Sequence, residues 1–444
     1  MNQTVQQSTE AKTAPFAFFL LALYTISVLV RPHEFSIETA DYQFIRFFAI
    51  ASLVFLLITL RPIRFPPQLA MLILLLPLIM LSAFFNGWGT GGFEQSQRLL
   101  VSSIIPFFLF CNLVATPKRQ RILMLICIIS ALVMVANGHI QQASFDGTFG
   151  IGIGGSTTVA DDEMRITYLG FFNDPNDVGM FLVMNIPFVA YFYSRSQFYT
   201  KIMMACAGIA LVYGIYMTGS RGTLLSAIGV AAAYFIIRRA STMLIIFLAV
   251  FAPFAGTLIT SFGGLGAGDG SVEGRLDAWY AGIGMLLGNP IFGVGMGNFV
   301  EEHIRVAHNS YIHVAAELGV LGYSLWGGVL TLNMLASYRL VRQTAASNRD
   351  NTDTDSSNLL EEELLLNRAL FFSMIGFMIA AFFLSRNYVL TMFIFLGMQT
   401  ATLLRIADIK QDIQIHFDFK SIVRAAGISW IIIIAVYASL KIGL

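Results

Sequence analysis

Charge is scarce in this chain. Of its 444 residues, 12% are Asp, Glu, Lys or Arg, whereas 56% are hydrophobic. A mean hydropathy of +0.72 is that of a membrane protein and excludes an ordinary soluble domain. Net charge is nearly absent as well, at +1 with a pI near 7.7, so no broad positive field draws in nucleic acid. Any anionic partner must then be met by individual arginines. Cysteine is rare. Cys111, Cys127 and Cys206 all fall within apolar runs and lack metal-ligand spacing, so no disulfide framework, zinc site or cofactor is expected. They read as small core hydrophobes. The stretch from Met1 to Pro15 is polar, and the first apolar run has neither a basic leader nor a small-residue cleavage site. A cleaved signal peptide is not expected. No internal repeat is visible.

What the chain has in quantity is long apolar runs. Stretches of about twenty apolar residues read as spanning helices, and they fall near 15–30, 43–60, 67–85, 98–115, 122–138, 177–194, 202–218, 223–237, 242–261, 310–337, 367–385, 388–404 and 426–440. The expectation is an all-α polytopic membrane protein with twelve or thirteen spans, forming one integral membrane domain. The connecting segments separate by charge. Alternate ones carry Arg61 and Arg64, then Lys118 to Arg121, Arg195 and Lys201, Arg238 and Arg239, Arg339 to Arg349, and Arg405 to Arg424. With Lys12 and Arg368 this set holds 18 of the 27 basic residues. By the positive-inside rule it faces the cytoplasm, and the other connections lie outside.

Two outer loops are long, 139–176 and 262–309. Within the second, Leu276, Trp279, Ile283 and Leu287 recur at helical spacing, which predicts an amphipathic helix on the membrane surface. The inner segment 339–365 is rich in Ser, Asn and acids and reads as a linker.

Nine basic residues sit against the charge rule on the outer side: Arg31, Arg46, Arg98, Arg165, Arg221, Arg275, Arg305, Arg386 and Lys441. Rim arginines that snorkel to headgroups account for some of them. Arg221 and Arg386 stand in hairpins too short to leave the membrane surface, where an ionisable group marks a functional site. His308 opens a spanning helix from outside, where an anion is favoured by free backbone N–H groups and a neutral imidazole can act as base. A capping or interfacial role is the alternative. Asn309 is its neighbour. His313 and Glu317 are four apart and share a helix face, as a catalytic pair or as an internally satisfied polar pair. Asn173 and Asn176 lie in a polar turn that stops at a span, read as helix capping or as sugar or phosphate ligands. Arg98 and Arg386 are further candidates for substrate binding. Arginine forks match phosphate oxygens bidentately. The set therefore suits cleavage at a diphosphate on a membrane lipid, with glycosyl transfer to a hydroxyl, or the binding of an anionic lipid for transport.

The turn Gly219-Ser220-Arg221-Gly222-Thr223, the segment Gly274 to Trp279 with Gly288-Asn289-Pro290 and Gly293-Val294-Gly295, and the run His308-Asn309-Ser310-Tyr311 with Glu317-Leu318-Gly319 resemble, in this order, the O-antigen ligase and polymerase superfamily. The match covers about 170–330. The resemblance implies a metal-independent, inverting membrane glycosyltransferase of the GT-C type in the bacterial inner membrane. It would take a glycan from undecaprenyl diphosphate at the periplasmic face. Lipid A-core is the expected acceptor, with another carrier-linked unit or a protein hydroxyl as alternatives. Arg221 and Arg275 would bind the diphosphate and His308 would serve as base. Arg386 has no motif behind it.

Overall fold

The computed structural model describes residues 14–36, 38–143, 158–160, 163–239, 270–346, 355–409 and 417–443. Its helices are α1 (Pro15–Leu29), α2 (Phe44–Thr59), α3 (Pro67–Phe85), α4 (Gly89–Leu113), α5 (Pro117–Ala143), α6 (Pro175–Arg195), α7 (Phe198–Met217), α8 (Arg221–Arg239), α9 (Gly270–Gly288), α10 (Ser310–Ala346), α11 (Asp355–Ala381), α12 (Leu390–Ile409) and α13 (Phe419–Gly443). A two-stranded antiparallel hairpin, β1 (Thr158–Ala160) and β2 (Glu163–Arg165), is the only sheet among the described residues. Ten of these helices are long and apolar enough to cross a bilayer, and α2 and Arg221–Ile237 of α8 are apolar but shorter. The architecture is an all-α polytopic membrane protein. The expected span at 242–261 lies outside the described residues.

Several boundaries differ from the hydropathy reading. The fourth span begins earlier, at Gly89, and turns through a π-helical segment at Leu100–Ile104 before continuing to Leu113. The inner segment 339–365 is largely helical, because α10 runs on to Ala346 and α11 starts at Asp355. Ion pairs account for that extension: Arg121 Nη1 meets Glu362 and Arg405 grips Glu363. Two of the segment's carboxylates, Glu362 and Glu363, are thus tied to α5 and α12.

Burial separates centre from periphery. The spanning window of α12 is 83% buried, whereas that of α7 is 28% buried. Accordingly α7 turns Ile202, Met203, Ile209, Val212 and Tyr216 outward, the composition that lipid requires. Cys206 lies on this exposed helix, unlike Cys111 and Cys127, which are buried in the bundle. Inside, side-chain amides join helices: Gln68 donates to Asn333 at 2.7 Å, and Asn333 to Thr400 at 2.9 Å, stitching α3, α10 and α12. Such bonds between helices contribute roughly 0.6 kcal/mol each in a membrane interior.

Helix α10 is broken near its start. Gly319 adopts φ 63°, ψ −162°, which removes local helical bonds and would strand buried backbone groups. The segment Pro290–Gly295 supplies their partners. Val294 and Gly295 donate to the carbonyls of Ala316 and Glu317 at 3.0 and 2.9 Å, while Val320 donates to Pro290 at 2.7 Å. The approach is backbone on backbone. A Cβ on Gly319 would stand 2.5 Å from the Ile291 carbonyl oxygen, and one on Gly293 would stand 2.5 Å from that of Ala316.

Candidate functional site

The α7–α8 turn forms one wall of the site. Gly219 takes φ +56°, reversing the chain so that Ser220 caps α8. The Ser220 hydroxyl accepts from Thr223 N at 3.1 Å and donates to Asn176 Oδ1 at 2.6 Å. This leaves Arg221 as the first residue of α8, exposed, where helix N–H groups and the dipole favour an anion. Gly179 on α6 admits the turn closely, since a Cβ there would meet Thr223 Cγ2 at 2.6 Å. On the other side, Arg165 Nη2 donates to the Gly219 carbonyl at 2.9 Å.

Helix α9 forms the second wall. Its apolar stripe is present as expected, but it faces protein: Leu276, Trp279 and Ile283 are buried, and only Leu287 is exposed. Gly282 explains the close seat on α10, because a Cβ would meet Ile312 Cγ2 at 2.6 Å. The Trp279 indole donates to the Ala307 carbonyl at 2.7 Å. Arg275 lies one turn earlier on the same face. Burial and then the charges of Arg221 and Arg165 depress its proton affinity. At the same end Asp277 Oδ2 meets His303 Nε2 at 3.0 Å and raises that imidazole's pKa.

Between the walls stands His308, half-buried, with a left-handed backbone at φ +46°. It is not in the first turn of α10. That helix starts at Ser310 and is capped by Asn309, whose Oδ1 accepts from Tyr311 N and Ile312 N at 3.0 and 3.2 Å. Capping thus occupies the Asn309 carbonyl oxygen and leaves the histidine ahead of the helix. Burial first, and then the Arg275 charge, holds the imidazole below its ordinary 6.5, while Asp174 pulls it up and Arg386 and Arg305 push it down. Burial and the Arg275 charge both favour the neutral imidazole, the form able to take a proton.

Arg386 is engaged by carboxylates. Its Nε donates to Asp177 Oδ1 at 2.5 Å and its Nη2 to Asp174 Oδ2 at 3.3 Å, and its backbone N–H donates to Ser310 Oγ at 2.9 Å. It therefore pins the α11–α12 connection to the starts of α6 and α10, beside His308 but with its charge already matched. Asn176 is likewise committed, to Ser220 and to Asp174, as the cap reading of that turn expects. His313 and Glu317 do meet, at 3.0 Å, and Glu317 also accepts from the Gly297 N–H at 2.8 Å. With His313 stacked on Phe299 at 4.9 Å, this pair holds the 293–299 segment against α10. Asn173 is exposed on the turn before α6, next to Asp174. Arg98 is exposed on α4, one turn beyond Gln95, which packs at Gly297; no contact joins it to His308.

The structure thus gathers Arg221, Arg275 and His308 and adds Arg165, Asp174 and Asp177. The added residues carried a weak signal. Arg165 was one of several charges on the wrong side, and the aspartates lie in or beside the polar turn read as helix capping, a role Asp174 does fill through Asn176 N at 2.8 Å. Arg31 is not a free rim charge, because Glu34 binds it bidentately beneath Gly170. Among the described residues no three His, Cys, Asp or Glu side chains gather as metal ligands.

Fixed cations on one side of a neutral imidazole can hold an anionic leaving group while a hydroxyl loses its proton. That chemistry is group transfer from a phosphorylated carrier. No curated protein matches the chain. A family model does: residues 206–327 match that of the O-antigen ligase family, an interval that contains Arg221, Arg275 and His308. Bundle and motif agree with that match: this is a many-span membrane protein whose residues 206–327 are similar to the O-antigen ligase family, which supports glycan transfer of the ligase or polymerase kind in general.

Proposed function

We propose that the protein transfers a glycan from undecaprenyl diphosphate to an acceptor hydroxyl, at the periplasmic face of a bacterial inner membrane, with inversion and with lipid A-core as acceptor. The observation that supports this reading is that Arg275 lies close enough to feel the charges of Arg221 and Arg165 and to act in turn on His308. In the reaction His308 accepts the proton of the acceptor hydroxyl. The hydroxyl oxygen attacks the anomeric carbon from the face opposite the carrier, and the bond from that carbon to the diphosphate oxygen breaks. The diphosphate leaves with the electron pair, and Arg221 and Arg275 take up its growing charge. Guanidiniums suit this task because they stay protonated and bind phosphate oxygens in pairs. They supply the charge that this reading needs, so it is metal-independent. In this reading Arg386, Asn309, His313, Glu317, Asn173 and Asn176 frame the substrate site, most of them by holding its walls, and Arg98 is a further substrate-binding candidate.

Deletion of the gene followed by analysis of surface glycan tests the reading. Loss of attached polymer with build-up of lipid-linked polymer is expected of a ligase. A single attached repeat would reassign the protein as a polymerase, and loss of glycan from a protein alone as a protein O-glycan ligase. Complementation with Arg221→Ala, Arg275→Ala or His308→Ala is expected to fail; normal attachment by all three would refute the site.

A transporter of the same lipid-linked glycan is the second reading, and the break in α10 favours it, since transporters bind at interrupted helices. The break is filled by the main chain of Pro290–Gly295, and its polar groups are satisfied without substrate. Transfer of glycan by the purified protein in detergent, where there is no second compartment, distinguishes the two.

A further inference from the structure

Arg165 closes strand β2 and lays its guanidinium across the Ser-Arg-Gly turn. Nη2 donates to the Gly219 carbonyl at 2.9 Å, and a Cβ on Gly219 would stand 3.0 Å from Arg165 Nε. Bare backbone at Gly219 therefore both makes the turn and admits the guanidinium. Arg165 Nε is buried without a hydrogen-bond partner, and Arg165 is one of the two cations whose charge bears on Arg275. A brace for one carbonyl needs a single donor, whereas a guanidinium offers five in a fork. Guanidiniums brought together in a half-buried place disfavour one another's charge. A dianion relieves that repulsion, and a diphosphate has enough oxygens to engage more than two forks.

Taking the site to be a diphosphate site, we propose that Arg165 is a third ligand of the carrier diphosphate, and that it selects a lipid diphosphate over a lipid monophosphate. With one edge it fixes the carbonyl two residues before Arg221. With the other it reaches an oxygen of the phosphate farther from the lipid, which a lipid monophosphate lacks.

The test is equilibrium binding of geranylgeranyl diphosphate and geranylgeranyl phosphate to the purified full-length protein in detergent, with inorganic pyrophosphate as a headgroup-only probe. Wild-type protein is expected to prefer the lipid diphosphate by about tenfold or more, and Arg165→Gln to lose about tenfold in diphosphate affinity while changing monophosphate affinity by about twofold or less. Arg221→Gln is expected to weaken both. Equal weakening of both lipids by Arg165→Gln would show a brace alone and overturn the assignment. So would wild-type diphosphate affinity in Arg165→Gln when Arg221→Gln has lost it, and the diphosphate reading would survive. A wild-type protein with no preference for diphosphate would sink that reading and this one together. Should Arg165→Gln fail to fold, Arg165→Lys carries the test: it is expected to keep the charge and lose preference, and undiminished preference refutes the proposal. Tighter binding of pyrophosphate than of the lipid would place recognition in a free phosphate site and also count against it.

Discussion

Trp279 donates its indole N–H to the Ala307 carbonyl at 2.7 Å, so the helix that carries Arg275 is fastened one residue ahead of His308. Trp279→Phe retains most of the buried ring and leaves the buried carbonyl without its donor, at a cost of about 1 to 3 kcal/mol. The expected result is a protein that still inserts, melts at a lower temperature, and transfers glycan about tenfold or more slowly, because a misplaced catalytic pair loses rate steeply. Unchanged turnover in Trp279→Phe would show that this bond does not position Arg275.

Removing a fixed cation from the site is expected to lower transfer by about 10²- to 10³-fold, and removing a base by about 10²- to 10⁴-fold. Turnover by purified Arg275→Gln and His308→Ala, compared at equal amounts of folded protein, checks both figures.

The pH dependence has a definite sign. His308 works as a base only when neutral, and its pKa lies below 6.5, so the acid limb of the rate profile is expected below pH 6.5. Arg275 pushes that pKa down. Its replacement by Gln is therefore expected to move the His308 titration, followed by NMR of labelled imidazole, to higher pH. A limb above 6.5, or a shift to lower pH in Arg275→Gln, would contradict the assignment.

Asp177 is 2% exposed and bound to Arg386. Replacing one partner leaves the other uncompensated, which costs about 3 to 5 kcal/mol for a buried pair and less here because Arg386 is 35% exposed. A double-mutant cycle of Asp177→Asn and Arg386→Gln, read by thermal unfolding in detergent, is expected to show a double variant less damaged than the sum of the single ones. Additivity would mean that the two do not act as a pair.

Glycines on these elements are not equivalent. Gly319→Ala and Gly293→Ala each force a Cβ into backbone at positive φ, and a loss of about 1 to 3 kcal/mol or more is expected. Gly284 in α9 has open space around it. There Ala is expected to stabilise by about 0.5 to 1 kcal/mol through helix propensity. Thermal unfolding of the three variants gives the ranking.

Arg221 and Arg386 stood out in the sequence because membrane insertion penalises charge, whereas Arg275, in a long polar loop, was picked out by the resemblance. Their partners were not. The aspartates that meet Arg386 lie far from it in sequence, and Asp174 also fits a local cap. Hydropathy found α10 but not its break, because Gly319 is one glycine among several and its conformation is dictated by a distant segment. The helical ends of 339–365 were hidden for a related reason: Glu362 and Glu363 look solvated in sequence until the arginines of α5 and α12 are brought beside them. In α9 the period of the apolar stripe gave the helix, but period alone does not say whether lipid or protein receives it.

The ladder between Pro290–Gly295 and the two halves of α10 consists of main-chain bonds, which register position and ignore side-chain identity. Together with the Trp279 tether, it clamps the outer segment at two points and makes it a ruler of fixed length. Away from its glycines, side chains along it can be exchanged, but deleting one residue between Pro290 and Gly295 would shift the rungs and draw α9, with Arg275, out of step with His308. Segment length, more than composition, sets where Arg275 stands relative to His308.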